Sequence, residues 1–292
     1  FRPVLLFLGL LAAAVANFVT PAYAQLAFIR DAEIESIIRS YATPLFEAAG
    51  LDAQSVNVII VNDRQINAFV ASGKKLFINT GLLMAAKSSN QIVGVIAHET
   101  GHLAAGHLAR THEVLKNANR ATILSYVLSA AAIAAGSPDA ALAIIAGGGA
   151  VTQRTVLKYS RGQEQAADQN AVTSLERTGQ SARGLLAFLE ILEDQEVLVA
   201  SRQDPYLRTH PRVRGRIDFV RNHVENSPYS DVQPSPEQVA QFSRMIAKLQ
   251  GFLNPRETLR LYPEDDRGIA ARYARAIAHY RRPDLSPALE EI

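Results

Sequence analysis

Residues His98-Glu99-Thr100-Gly101-His102 place two imidazoles four positions apart, a spacing that brings them together only on a helix. At about 100° per residue both rings leave the same face, roughly 6 Å apart, a separation at which they can bind one metal ion. Glu99 lies beside that face, within reach of a water at the ion without being a ligand itself, which is the placement of a general base. The pentad therefore demands a fold that buries this helix and brings a third donor to it from elsewhere. The chain has 292 residues, 48% of them hydrophobic, so a sizeable core is available. It has no cysteine, which excludes a disulfide scaffold, a thiol nucleophile and thiolate-held metal and leaves the third position to histidine or a carboxylate.

That third donor can be sought by elimination. A metzincin pattern needs Gly and His three and six places after His102, where this chain has Ala105 and Leu108. On a continued helix His107 sits about 140° around from His102 and is expected to point elsewhere. Glu113 shares the face but lies roughly 16 Å along the axis. Between Lys116 and Gln163 the only acidic residue is Asp139, and then comes Glu164-Gln165-Ala166-Ala167-Asp168. Glu164 is the expected third ligand. Asp168, four residues on and on the same face, is expected to orient a ligand imidazole, since a metal-bound histidine usually donates its second nitrogen to a carboxylate or carbonyl. Ala166 and Ala167 leave room for close approach to the pentad helix. The expected cofactor is one zinc ion.

The rest of the chain reads as α+β, helix-dominated. Ala32 to Ala49 is an amphipathic helix closed by Gly50, and Ser55 to Asn62 is a β-branched strand. Ile66 to Ala71 and Lys75 to Asn79 flank Ser72-Gly73 as a hairpin. A short helix follows from Gly81 to Ala86, and Ser88-Ser89-Asn90 caps a long helix from Gln91 to about Asn117. Ala121 to Ala135 and Ala140 to Ile145 are expected to be core helices broken by Gly136 to Asp139 and ended by Gly147-Gly148-Gly149. The alternative for 121–150 is a hairpin making peripheral contact with a membrane. Helices are expected over Val151 to Arg177, Ala182 to Val197, Glu237 to Leu253, Ile269 to Tyr280 and from Pro287, with Asn226 to Pro236 as linker. Residues 1–24 read as an export signal, with a short apolar core and Ala22-Tyr23-Ala24 as the cleavage site, cut after Ala24. The 30 basic and 28 acidic residues are interspersed, so no nucleic acid is expected as partner.

The pentad, Ser160-Arg161 followed by Glu164 and Asp168, and Thr209-His210-Pro211 with Arg216 together resemble the HtpX and CAAX-prenyl-protease gluzincin family over roughly Ala32 to Val224. Within it the chain is most similar to the periplasmic BepA-like branch, whose protease domain precedes tetratricopeptide repeats. The resemblance implies a zinc-dependent endopeptidase of the periplasm in envelope and outer-membrane protein quality control. It implies a protease domain over 25–230, and a helical linker with the start of tetratricopeptide-like repeats over 231–292 that contacts outer-membrane assembly machinery. The competing readings are a chaperone-like scaffold with a latent metal site and a membrane-anchored protease.

Two further elements bear on substrate. In related metalloproteases an edge strand pairs with the extended polypeptide, and Asn67, Ala68, Phe69 and Val70 stand where that strand would be; the bland reading is a core hairpin strand. His210, in a Pro-flanked loop, is expected either to stabilise an oxyanion or to act as a removable fourth ligand that keeps the enzyme latent.

Overall fold

In a computed structural model of the chain, residues 27–107, 138–196, 210 and 213–292 are described, with helical residues at 110, 116, 124–125 and 128–129. Strand β1 (Phe28–Ile29) leads into α1 (Ala32–Ala48), whose first N–H groups are capped by the Asp31 carboxylate at Glu33 and Ile34. Gly50, with φ 75°, ends it as expected. Strands β2 (Asn57–Val61), β3 (Ala68–Ala71) and β4 (Lys75–Asn79) complete a four-stranded mixed sheet in the order β1-β2-β4-β3. β2 and β4 run parallel, with Ile60 beside Ile78, while β3 and β4 form the expected antiparallel hairpin. β1, which the sequence reading had not assigned, pairs antiparallel with β2 at one edge, and β3 is the other edge.

Alternation along the strands sends Ala68, Ile60, Leu76 and Ile78 into a core shared with α1 and with α3 (Ser89–Ala104). Phe77 points the other way and stacks on Phe69, ring centroids 4.8 Å apart. Between β4 and α3 lies the short α2 (Thr80–Ala85). α3 is the central element: α4 (Pro138–Arg177) crosses it on one side and α5 (Arg183–Glu196) on another. The α5 crossing is close because Gly94 of α3 lies against the Leu185 backbone.

Two sequence expectations are corrected here. α3 ends at Ala104 rather than near Asn117, because Gly106 takes φ 64° and turns the chain out of the helix. Gly147-Gly148-Gly149 does not end a helix: it lies inside the 40-residue α4, since glycine only lowers helix propensity and the flanking residues carry the helix through. The expected export signal over 1–24 and most of the expected helix over Ala121 to Ala135 lie outside the described residues.

After α6 (Val213–Asn226) the connector packs tightly, Ser181 donating to the Ser230 carbonyl. α7 (Pro236–Leu253) starts with a Ser235–Gln238 capping box and buries Met245 and Leu249 in the same cluster as α1 and α3. α8 (Pro255–Leu261), α9 (Ile269–Arg281) and α10 (Leu285–Glu290) follow, α9 packing on α7 where Gly251 lies against Ala274 and Ile277, and the buried Arg275 binding Glu291 beyond α10.

Candidate metal centre

His98 and His102 leave α3 toward α4 with their Nε2 atoms 3.0 Å apart. Glu164 reaches them from α4, its carboxylate oxygens 3.4 Å from His98 Nε2 and 3.3 Å from His102 Nε2. His210 closes the group, with Nδ1 3.1 Å from Glu164 Oε2 and 3.3 Å from His98 Nε2. One donor atom from each of these four buried side chains lies within 4.8 Å of every other. The approach that allows this depends on Gly101 inside the pentad: a Cβ there would stand 2.6 Å from the Ala167 carbonyl oxygen. Three imidazoles and one carboxylate with donor atoms this close together suit a divalent ion of the borderline class.

Asp168, one turn beyond Glu164, accepts from His98 Nδ1 at 2.8 Å. Its basic partner comes from α6: Arg216 donates Nε to Asp168 Oδ2 at 2.7 Å and Nη2 to Oδ1 at 2.9 Å. The same guanidinium places Nη1 2.9 Å from Glu164 Oε2 and 3.4 Å from the His210 carbonyl. Sequence reading named Arg216 without a role. No local spacing could supply one, because its two carboxylates lie about fifty residues away on another helix.

The electrostatics separate the carboxylates. Burial alone would raise Asp168, yet Arg216 and His98 outweigh it and hold the group down to about 2. Glu164 is likewise opposed by burial and held well below the usual range by His210, His102 and His98. Glu99 goes the other way. It is fully buried, burial pushes it up, and neither carboxylate oxygen has a hydrogen-bond partner. His210 places its Nε2 3.5 Å from Glu99 Oε1. Among the imidazoles, burial and Arg216 disfavour a charge on His98, but Asp168 and Glu164 prevail and raise it to about 9. Burial lowers His102 to about 3, with His98 adding to the effect.

One expectation about this site is corrected. His107 does not point away: the turn at Gly106 brings its Nδ1 to 2.9 Å from His102 Nδ1, and burial depresses its pKa. The positive-φ glycine two residues past the helix end was the available signal. The strand bearing Ala68, Phe69 and Val70 is β3, at the sheet edge and packed against α3, and Asn67 precedes it with its carbonyl paired to the Asn79 N–H at 3.0 Å.

Residues 29–224 match the family described as peptidase family M48. The β-barrel assembly-enhancing protease of Escherichia coli (strain K12) is 29% identical over 211 residues, 72% of this chain and 42% of its own length. The protein of the same description from Yersinia pestis is 27% identical over 260 residues, 85% of this chain and 52% of its own length. Metalloprotease LoiP of Escherichia coli (strain K12) is 26% identical over 174 residues, covering 60% and 65%. The chain thus spans about half the length of the two assembly-enhancing proteases it resembles.

Proposed function

The chain belongs to peptidase family M48, and from that premise we propose that it is a zinc-dependent endopeptidase whose ligands are His98, His102 and Glu164 and whose general base is Glu99. The observation that carries the reading is the Glu99 carboxylate, buried beside a four-donor cluster with both oxygens unpaired. A buried carboxylate without a donor is costly unless it serves to move a proton, and its raised pKa brings it toward the range of a working base. Zinc, when bound, supplies Lewis-acid polarisation of the scissile carbonyl. Glu99 then takes the proton from the attacking water and delivers it to the leaving amine. Asp168 holds the His98 ring through Nδ1, and Arg216 holds Asp168 and Glu164 in register across α4 and α6.

Substrate is extended polypeptide, added to the edge of β3 at Val70, which stays partly exposed, whereas Ala68 is fully buried. Backbone pairing of this kind accepts many sequences. His210 sits inside the donor cluster, which favours the removable fourth ligand over the oxyanion donor: a closed set of four is the pattern of a site with no place for substrate. With His210 as fourth ligand the enzyme would be latent, and His210 would have to leave before peptide enters.

The names of the relatives support a role in β-barrel assembly, which in this proposal is envelope and outer-membrane protein quality control in the periplasm, after removal of residues 1–24. Among the described residues no helix is long and apolar enough to cross a membrane. Residues 25–230 form the catalytic unit in this reading. Residues 231–292 begin a tetratricopeptide-like region for protein partners, with α7 leaning on the catalytic core.

The test compares casein and short-peptide cleavage with bound zinc for four proteins. Glu99→Gln should abolish cleavage with zinc retained, and Glu164→Ala should lose zinc. His210→Ala should cleave faster than wild type. Cleavage by Glu99→Gln at the wild-type rate would remove the base assignment, and slower cleavage by His210→Ala would restore the oxyanion role. Inactivity of all four, with zinc bound to wild type, would favour the scaffold with a latent site.

A further inference from the structure

Both pentad histidines present Nε2 to the donor cluster, so each has an Nδ1–H facing away from it, and a buried donor of this kind needs an acceptor. For His98 the acceptor is the Asp168 carboxylate. For His102 the atom in that place is Nδ1 of His107, 2.9 Å away, with the two rings edge-on at 75°. We propose that His107 is a positioning residue of the metal centre: its neutral Nδ1 accepts from His102 Nδ1–H and fixes the ring that binds zinc. This rests on His102 being a zinc ligand, as in the reading above.

Three observations build the arrangement. α3 stops at Ala104 and Gly106 takes a left-handed conformation, its N–H donating to the Leu103 carbonyl at 3.2 Å, so that His107 folds back beneath the helix end. His107 is buried there. Its backbone is tied to α4, because Gln163 donates Nε2 to the His107 carbonyl at 3.0 Å. Gln163 immediately precedes Glu164, so the residue behind the second ligand is anchored next to the third.

A neutral acceptor at this place also has a chemical reason. Glu99, Glu164 and Asp168 already put three carboxylates in one buried site, with Arg216 paired to two of them. A fourth carboxylate behind His102 would add negative charge near Glu99 and push its pKa still higher. Imidazole accepts the hydrogen bond without that effect.

The experiment measures zinc affinity of the full chain by competition with a chromophoric chelator, for wild type, His102→Ala, His107→Ala, His107→Asn and His107→Gln. Circular dichroism of the metal-free proteins accompanies it. His107→Ala should bind zinc about 10- to 100-fold more weakly with an unchanged metal-free spectrum. Asparagine places its amide where Nδ1 stood and should restore most of the affinity, whereas glutamine reaches to the Nε2 position and should not. Wild-type affinity in His107→Ala, or equal affinities in the Asn and Gln variants, would overturn the inference; if alanine impairs folding, the Asn and Gln pair decides alone. His102→Ala separates the two layers. If it keeps wild-type zinc affinity the ligand assignment fails, and if it alone loses zinc while every His107 variant binds normally, only the positioning role fails.

Discussion

Replacing Gly101 by alanine should damage the metal centre without touching a ligand. The added Cβ would lie 2.6 Å from the Ala167 carbonyl oxygen, 3.0 Å from the Ala167 Cα and 3.1 Å from the Asn170 Cβ, all on α4. Carbon–oxygen contacts of this type ordinarily run at about 3.3–3.6 Å, so the two helices must part by about 0.7 Å. The obstructing atoms belong largely to backbone, so no side chain can simply swing aside. His98 and His102 ride on one helix and Glu164 on the other, and metal–ligand distances tolerate only about 0.2 Å. Zinc affinity should therefore fall by at least about tenfold. Stability moves less: overpacking costs about 1–3 kcal/mol, and the helix-propensity gain of alanine over glycine returns about 1 kcal/mol.

Gly162 supplies the control. It lies on α4 two residues from Glu164, is exposed, and a Cβ there meets nothing within 4 Å. Gly162→Ala should raise stability by up to about 1 kcal/mol and leave zinc binding as it is. Chelator competition and thermal unfolding of the metal-free proteins read both quantities. Wild-type zinc affinity in Gly101→Ala would refute the claim that this close crossing sets the ligand geometry.

Substrate pairing and proton release can each be tested separately. The pairing of Asn67 with Asn79 means that Phe69 and Ala71 pair with β4 while Ala68 and Val70 direct their N–H and C=O groups away from it, and of these two Val70 is partly exposed and Ala68 is buried. Val70→Pro should then remove one outward donor, lowering kcat/KM on peptides about 3- to 10-fold with zinc affinity unchanged; an unaltered rate would argue against substrate on β3. Against burial and Arg216, Asp168 and Glu164 raise the pKa of His98 to about 9, so at neutral pH the ring is expected to hold a proton that a metal ligand must give up. Zinc affinity should rise about tenfold per pH unit as pH climbs toward that value and level off above it. Calorimetry in buffers of different ionisation heat should show one proton released at neutral pH, and zinc binding without proton release would contradict the charge placed on His98.

The parts of the site legible in the sequence are those that share a helix. The pentad needs only the 3.6-residue repeat, and Glu164 with Asp168 needs it again on α4. The hairpin of β3 and β4 was marked by its Ser72-Gly73 turn. What local periodicity misses is set by the way elements end or meet. His107 was misplaced because the helix was carried past Ala104, although Gly106 stood ready to end it. Arg216 acts across α4 and α6, and Met245 and Leu249 join the catalytic core from beyond the expected domain boundary, both through tertiary packing that residue spacing does not encode. The strand β1 has only two residues, too few for alternation to register.

The division of labour between the two glutamates is also a tertiary property. Glu99 and Glu164 carry the same carboxyl group, are both buried, and start from the same solution pKa. Glu164 is surrounded by three imidazoles and a guanidinium, which stabilise its anion and keep it ionised as a ligand must be. Glu99, next to His98 in the chain, receives no hydrogen bond on either oxygen, and burial outweighs the opposing charges of His210, His98 and Arg216. Two like groups pushed in opposite directions by their surroundings are the arrangement that assigns one to hold charge and the other to exchange a proton. The pentad specifies which residue is next to the ligands. The hydrogen bonds from Arg216, His98 and His210 go to Glu164 and Asp168, while Glu99, with His210 at 3.5 Å, receives none and keeps the raised pKa that the proposed base needs.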